Sequence, residues 1–436
     1  MTDRQGASRE GRLLIYAPVP LFRFGGELYV ERQAINGLRL WASHFDHVTA
    51  MMPVEEAPPP AGWLPAAEFQ EELERVRFEP LPTAYRPDQF LRCLRSTRRQ
   101  IADLIRQAEY LSFAIGGLFG DWGAVAGFEA RRQGRRFAVW TDRVESEVMR
   151  QDLKDPDRRN RWRARLYYRP MVWLEHKVVS MAALGLFHGK DTFDAYSPSS
   201  SNPHLVHDIH IRAEDHISAS RLDEKIKTAD AGPIQIVYAG RADAMKGPLD
   251  WIAVLERLQV MGVDFRATWL GAGEELDQMR TRIHRAGLSD QVFLPGFVSA
   301  HDQVLEALRS AHVFMFCHKT PESPRCLIEA LSNGTPIVGY DSSYAQDLIS
   351  AHAGGVLVPR DDVELLTYEI ANLAADRARM ARLIGQARAD GLPFTDENVF
   401  EHRSHLIKEQ LKPDTPGAGR LRARWGDSLA GPSSQS

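Results

Sequence analysis

Two glutamates, Glu322 and Glu329, occur where a carboxylate can meet a bound ligand. The apolar run 313–317 that precedes them predicts a buried strand. Ser323 is predicted to be the N-cap and Pro324 the first residue of a following helix. Open α/β sheets bind ligands at the carboxyl ends of their strands. The free N–H groups of a helix N-terminus also attract an anion such as a phosphate, so we expect a ligand site here.

Two cations stand at the start of another predicted helix. The apolar run 234–239 predicts a strand, and Gly240, Arg241 and Lys246 follow it before a helix predicted over 248–262. Two cations near a helix N-terminus suit a diphosphate. The alternative is an exposed turn that carries two surface charges.

These two segments resemble the donor site of retaining glycosyltransferases of the GT-B fold, family 4 type. The residues 329–338, which run from Glu-Ala-Leu to Gly-Thr-Pro-Ile-Val, match the end of the family's signature. The Gly-Arg-x-x-x-x-Lys-Gly pattern at 240–247 is similar to the family's diphosphate loop. The family's first glutamate is expected one residue before Glu322, where this chain has Pro321.

The resemblance implies an α/β protein of GT-B architecture, with two Rossmann-like doubly wound domains facing each other across a cleft. It implies transfer of a sugar, with retained configuration, from a nucleotide-diphosphate sugar to a hydroxyl acceptor (EC 2.4), in cell-surface polysaccharide or glycolipid synthesis. A lipid-linked acceptor is one form of that acceptor. The implied donor-binding residues are Gly240, Arg241, Lys246, Gly273, Phe297, Glu322, Ser323, Pro324, Arg325, Cys326, Leu327 and Glu329.

The resemblance also assigns roles within this set. Arg241 and Lys246 would neutralise the charge that grows on the leaving diphosphate. Glu329 would accept hydrogen bonds from the ribose, and Glu322 would hold hydroxyls of the donor sugar. We expect no cofactor and no metal, because the Asp-x-Asp triplet at 155–157 has no predicted strand before it.

The first half of the chain contributes three further candidates. Gly25 and Gly26 lie between a predicted strand at 13–17 and a helix predicted over 27–43. They are either a loop that approaches a ligand closely or a plain tight turn, and the resemblance favours a place on the acceptor side. Asp142 ends a predicted strand where similar enzymes carry a histidine. It is a candidate catalytic group that orients the acceptor or takes its proton, or else it caps the next helix.

The segment 158–169 contains six arginines and no acid, with Trp162, Tyr167 and Tyr168 among them. It is interpreted as a peripheral membrane contact, as a site for an anionic acceptor, or as a solvated helix face. Histidines 204, 207 and 210 form either a metal site or a set of ordinary loop histidines, and the second interpretation is favoured because no His-Glu-x-x-His pattern is present.

The chain of 436 residues is long enough for two domains. We expect an acceptor-side domain over 12–212, a connection over 213–232, a donor domain over 233–392, a helix crossing back over 393–411, and a disordered tail over 412–436. The formal net charge of −4 argues against a nucleic-acid partner. Three cysteines without metal-type spacing and a polar segment 1–12 predict a cytoplasmic protein, with the inner membrane face as the alternative if segment 158–169 binds lipid.

Other functions remain open on this sequence. A nucleotide-sugar epimerase or a phosphorylase shares the GT-B fold. A catalytically silent sugar-binding subunit is the alternative from another class, and the shifted first glutamate favours it.

Overall fold

The computed structural model of the chain describes residues 11–153, 157–320 and 322–412. The predicted disordered tail and most of the Asp-x-Asp triplet at 155–157 lie outside these residues. The N-terminal domain is built on ten strands, β1 (Arg12–Tyr16), β2 (Leu21–Phe24), β3 (Glu27–Glu31), β4 (His47–Glu55), β5 (Trp63–Pro65), β6 (Val76–Pro82), β7 (Tyr110–Ala114), β8 (Ala138–Thr141), β9 (Leu184–His188) and β10 (Pro203–Val206). Its helices are α1 (Arg32–His44), α2 (Pro87–Gln107), α3 (Trp122–Arg132), α4 (Glu145–Asp152), α5 (Arg158–Met181) and α6 (Lys190–Tyr196).

The strands of the N-terminal sheet run in the order β10-β9-β8-β7-β1-β4, and β6 also pairs with β4; all of these pairs are parallel. Its central strands are apolar and fully buried, as in β7, because helices cover both faces. Helices α2, α3 and α5 pack on one face and α1 on the other. The predicted doubly wound domain is present.

The segment after β1 differs from the prediction. Residues predicted to begin a helix at Glu27 instead form β3, which pairs antiparallel with β2. Gly25 and Gly26 make the turn of this hairpin, with φ of 63° and 86°, a conformation that glycine adopts without steric cost. The predicted helix start at Glu27 is therefore wrong, and α1 begins at Arg32.

The C-terminal domain has six strands, β11 (Ile234–Ala239), β12 (Phe265–Leu270), β13 (Val292–Gly296), β14 (Val313–Phe316), β15 (Ile337–Tyr340) and β16 (Gly355–Val358). Its helices are α7 (Ala219–Thr228), α8 (Pro248–Val260), α9 (Leu276–Arg285), α10 (His301–Ser310), α11 (Arg325–Ser332), α12 (Ser343–Leu348), α13 (Val363–Ala375) and α14 (Arg377–Gly391). All of its strand pairs are parallel, in the order β13-β12-β11-β14-β15-β16. This is the Rossmann order, whose topological switch point lies between β11 and β14.

The stretch 213–232, predicted to connect the domains, includes α7, which packs against the C-terminal domain. Lys225 of α7 is buried, and its ammonium donates hydrogen bonds to Leu308 O, Asn333 O and Thr335 Oγ1 at 3.1, 3.1 and 2.6 Å. These three acceptors replace the water that the ammonium loses on burial. The part of this stretch that includes α7 is thereby fixed to the second domain.

The last helix, α15 (Asp396–Gln410), packs on α1 and on strands β7, β9 and β10 of the first sheet. Phe400 contacts Trp41 edge-on at 5.2 Å between ring centroids, and Arg403 lies over the same Trp41 ring. The chain therefore crosses between the domains twice. The two crossings lie side by side, since Asp396 N donates to Ile211 O at 2.7 Å and the His216 ring bonds Phe394 O at 2.9 Å.

Candidate functional site

The loops after β11 and β14 meet at the switch point of the C-terminal sheet. Gly247 shows how closely they approach, because a Cβ built on it would lie 2.2 Å from the carbonyl oxygen of Cys317. Its φ of 64° also favours glycine. Only glycine therefore permits the loop 240–247 to pack against the start of the segment that carries Glu322.

Lys246 and Glu322 form the central contact of the site. Lys246 Nζ donates to Glu322 Oε1 at 2.7 Å, and the two side chains are only 11% and 10% exposed. His318 Nδ1 lies 3.7 Å from the same oxygen, and its Nε2 is 2.9 Å from the hydroxyl of Tyr238. Burial, and then the charge of Lys246, lower the pKa of His318, so this imidazole is neutral. Lys246 therefore supplies the positive charge that compensates the buried carboxylate.

Arg241 and Glu329 extend the site towards solvent. The Arg241 side chain is 63% exposed, and its guanidinium lies 3.1 Å from Asp243. Glu329 is half-buried on α11, and its carboxylate has no hydrogen-bond partner among the described residues. Gly273 packs against the backbone of Ala242, where a Cβ would come within 2.6 Å. The charged groups of Arg241 and Glu329 are both accessible to a ligand at this end of the sheet.

The N-terminus of α11 begins one residue later than predicted. Pro324 is the N-cap and Arg325 the first helical residue, and the N-cap has no side-chain hydrogen bond. The prediction of Ser323 as N-cap is wrong. Its hydroxyl instead faces Gly189 of the N-terminal domain, where a Cβ would lie 2.5 Å from Ser323 Oγ. Without a capping side chain, the N–H groups of Arg325 and Cys326 at the start of α11 remain available to an anion.

The two domains touch directly beside Glu322. Ser323 N donates to Asp142 O at 3.1 Å, and Arg143 pairs with Glu322 in an isolated antiparallel bridge. Asp142 therefore contributes its backbone carbonyl to the interface, while its side chain is exposed. The Arg143 guanidinium donates from Nε to Glu145 at 2.5 Å.

Arg325 also reaches the N-terminal domain. It donates from Nη2 to Gln33 at 2.6 Å and lies 3.8 Å from Asp208, which accepts a bond from Arg403 at 2.9 Å. Burial opposes the ionisation of Asp208, but His210, Arg403 and Arg325 outweigh it and hold the pKa of Asp208 below its usual value. In this structure Arg325 joins the domains.

The other predicted residues take different places. Leu327 lies in the core and its N–H bonds Pro324 O, so it supports the site from behind. Burial raises the pKa of Cys326 to about 12, which keeps its thiol protonated. Phe297 is 59% exposed after β13 and its ring lies across the cleft from Gly62. Gly25 and Gly26 are at the exposed tip of the β2–β3 hairpin.

Asp121 is a buried acid between β7 and α3 of the N-terminal domain. Asp121 follows β7 and accepts bonds from Gly116 N at 3.1 Å and Ala124 N at 3.0 Å. Burial raises its pKa to about 7 in spite of these donors.

The three histidines of 204–210 do not converge. His204 contacts Asn202, His207 lies 3.5 Å from Asp347, and His210 contacts Asn36. Among the described residues, no group of three or more His, Cys, Asp or Glu side chains could hold a metal ion. These histidines contribute to packing and to interdomain contacts.

Sequence reasoning missed His318 and the pairing of Arg143 with Glu322. His318 lies two residues after β14, at the carboxyl end of a switch-point strand, and that position alone was a usable signal. The contact of Arg143 joins two domains and has no local sequence signal.

Two facing Rossmann-like domains, with a cationic loop and an uncapped helix at the switch point, define the GT-B class of fold. Residues 220–390 match the family model described as glycosyl transferases group 1, which is similar to this part of the chain.

Part of the chain is also similar to individual glycosyltransferases. The chain is 30% identical over 179 residues to a putative colanic acid biosynthesis glycosyltransferase of Escherichia coli K12. This match covers 39% of this chain and 44% of that protein. It is 29% identical over 180 residues to 2-deoxystreptamine N-acetyl-D-glucosaminyltransferase of Streptomyces fradiae, covering 39% and 42%. The match spans less than half the length of these relatives.

The fold extends over nearly the whole chain. The crystal structure of the Anabaena protein HepE in complex with UDP-glucose superposes with a TM-score of 0.64 at 14% identity, covering 92% of this chain and 100% of that one. The two-domain GT-B fold is therefore shared well beyond the matched family region.

Proposed function

We propose that the protein is a retaining glycosyltransferase (EC 2.4) that moves a sugar from a nucleotide-diphosphate sugar to a hydroxyl acceptor. The observation that carries this proposal is the convergence, at one switch point, of the loop 240–247, the buried Lys246–Glu322 pair and the uncapped N-terminus of α11. Fixed cations and free amides together suit a diphosphate leaving group. The UDP-glucose bound by the HepE structure and the polysaccharide-synthesis name of the first relative support a nucleotide sugar and a cell-surface glycan.

We infer the roles of the individual residues from their positions. Arg241 and Lys246 stabilise the charge that develops on the diphosphate, and Lys246 also holds Glu322 at the donor sugar through its hydrogen bond to Oε1. Glu329, whose carboxylate has no partner among the described residues, accepts hydrogen bonds from the ribose. Asp142 and the Gly25–Gly26 turn belong to the acceptor side, where Asp142 orients the acceptor hydroxyl.

The first test is nucleotide-sugar binding by the Glu329→Ala variant. Losing a charge-assisted hydrogen bond should weaken the binding of UDP-glucose by one to two orders of magnitude, measured by calorimetry. The matched control is Glu364→Ala, an exposed glutamate on α13 of the same domain that pairs with Arg257, and it should bind normally. Equal affinity of Glu329→Ala and the control would refute the assignment.

Product analysis separates this function from its alternatives. Incubation of donor with an acceptor should give a glycoside, whereas an epimerase changes the sugar without an acceptor. A phosphorylase needs inorganic phosphate. Donor binding without turnover under any of these conditions would identify a silent sugar-binding subunit.

The acceptor is proposed to be presented at an anionic membrane through α5. Trp162, Leu166 and Trp173 are 68%, 49% and 62% exposed, at spacings of four and seven that place them on one helix face. The exposed arginines of the first half of α5 surround them. Exposed apolar rings among cations match the interface of an anionic bilayer. Among the helices in the described part of the chain, none combines the length and the apolar composition of a membrane-spanning segment.

Vesicle sedimentation tests this contact. Changing Arg159, Arg165 and Arg169 together to glutamate should abolish binding to vesicles that contain anionic lipid. A control with the same charge change, Arg266, Arg285 and Arg382 to glutamate in the C-terminal domain, should still bind. If both variants lose vesicle binding equally, binding depends on net charge and not on α5. If the unmutated protein does not bind vesicles at low salt, the proposed membrane contact is wrong.

A further inference from the structure

A cavity of about 510 Å³ lies between the two domains, within the size range of roughly 300–1,000 Å³ that is typical of small-molecule sites. Residues after β8 and β9 line it from the N-terminal domain, and residues after β15 and β16 line it from the C-terminal domain. Gly240, Arg241, Gly273 and Phe297, which we assign to the nucleotide, do not line it.

The cavity opens beside the donor-sugar glutamate. Val144, which lines it, directly follows Arg143, whose backbone pairs with Glu322. On the other side, Gly189 packs against Ser323, and Asp191 enters the lining two residues later. A ligand in the cavity would therefore lie next to the segment that carries Glu322.

The charges of the lining exclude most classes of ligand. Arg150 and Arg360 are its two cations, and they come from opposite domains. Three carboxylates, Glu147, Asp191 and Asp341, outnumber them, so an anion would meet net negative charge. An apolar ligand would leave these groups without hydrogen-bond partners. Hydroxyl groups donate to carboxylates and accept from guanidinium groups, so they satisfy both kinds of lining residue.

Several of these polar groups have unused hydrogen-bonding capacity. Asp191 Oδ1 accepts from Tyr344 N at 3.2 Å, but Asp191 Oδ2 is buried and has no partner in the described ranges. Burial raises the pKa of Asp191, and the charge of Arg360 across the cavity counteracts this. Gln346 donates to both oxygens of Asp341 at 2.8 Å, which holds that carboxylate in one orientation for further donors.

We propose that this cavity binds a neutral saccharide and is the acceptor subsite of the enzyme. Its role as an acceptor site rests on the proposed function, whereas its ability to bind a neutral sugar does not. Arg360 and Gln346 then determine acceptor specificity from the C-terminal domain, because Arg360 offers hydrogen-bond donors to the sugar and Gln346 orients the carboxylate of Asp341 towards it.

Saturation-transfer NMR on the full chain, with UDP present, tests the proposal. The probes are the methyl α-glycosides of glucose, galactose and N-acetylglucosamine, with glucuronate and glucose 6-phosphate as anionic counterparts. At least one neutral probe should bind, more tightly than both anionic ones. Arg360→Ala and Gln346→Ala should each weaken it at least fivefold, and the control Arg266→Ala, an exposed arginine on β12, should not.

Three results would overturn the proposal. These are tighter binding of the anionic probes, equal binding of the neutral probe to the cavity variants and the control, and no binding of any neutral probe. UDP affinity is measured in parallel and should stay within twofold in every variant. Failure of the unmutated protein to bind UDP would refute the proposed function. Binding of the neutral probes would still test whether the cavity is a saccharide site.

Discussion

Removing one partner of the Lys246–Glu322 ion pair should destabilise the protein far more than removing both. The two side chains are about nine-tenths buried and share one hydrogen bond of 2.7 Å. Lys246→Met leaves a buried carboxylate whose neighbouring imidazole, His318, is neutral and whose other charged neighbour, Arg143, is already bonded to Glu145. Glu322→Leu leaves a buried ammonium. Each single change should lower the free energy of unfolding by about 3–5 kcal/mol, the scale for an uncompensated buried charge.

The double variant should recover most of that loss. Two apolar side chains of similar volume carry no desolvation penalty, and replacing a whole buried pair is often close to neutral. Urea unfolding of the four proteins at pH 7 gives the coupling energy, which we expect to be about 3 kcal/mol or more.

The exposed pair Arg241–Asp243 provides a matched control in the neighbouring loop. Its arginine is 63% exposed, so the same cycle there should give about 0.2–1 kcal/mol. A coupling energy for Lys246–Glu322 as small as that of the control would refute the reasoning. It would mean that the two groups are hydrated in solution and that loop 240–247 does not compensate Glu322.

Two further predictions concern Asp121 and Arg241. Burial raises the pKa of Asp121 from 3.8 to about 7, so between these values the folded state holds a proton that the unfolded state has released. The stability of the unmutated protein relative to Asp121→Asn should therefore be greatest below pH 4 and fall by roughly 4 kcal/mol up to pH 7 in urea titrations, and a flat difference would contradict the assigned pKa. Sugar transfer should persist in excess chelator, whereas Arg241→Ala should lower turnover about a hundredfold or more. Activity that is lost in chelator and restored by magnesium would show that a metal ion, and not Arg241, stabilises the charge of the leaving diphosphate.

The C-terminal domain could be predicted well from the sequence because its signals are local. Each buried parallel strand is a short apolar run, and glycines follow β11 and β12 at the ends where ligands bind. The helix that carries Glu329 was placed within one residue. Its exact start was missed because Ser323, a good N-cap by residue type, packs against the other domain instead.

The N-terminal domain was predicted less well, for two physical reasons. The residues 27–43 have a helical apolar pattern, yet Gly25-Gly26 between two short apolar runs is also a hairpin signal. Pairing with β2 makes residues 27–31 a strand instead of the start of the helix. The contacts of Asp142 and Arg143 with the segment 322–323 join residues some 180 positions apart in sequence. No local pattern encodes such a contact, so only the folded chain brings these residues together.

The two side-by-side crossings between the domains determine how the cleft can open. The two connectors are hydrogen-bonded to each other, through Asp396 to Ile211 and through His216 to Phe394. We expect this pairing to permit rotation of the domains about the axis of the connectors and to resist sliding of one domain along the other. Such a rotation breaks the contacts that Ser323 and Arg325 make across the cleft, while α15 moves with the first sheet. Reclosure is then an intramolecular event with a high effective concentration. The rate of reclosure is independent of protein concentration. Each closure brings the same two surfaces back into the same contacts.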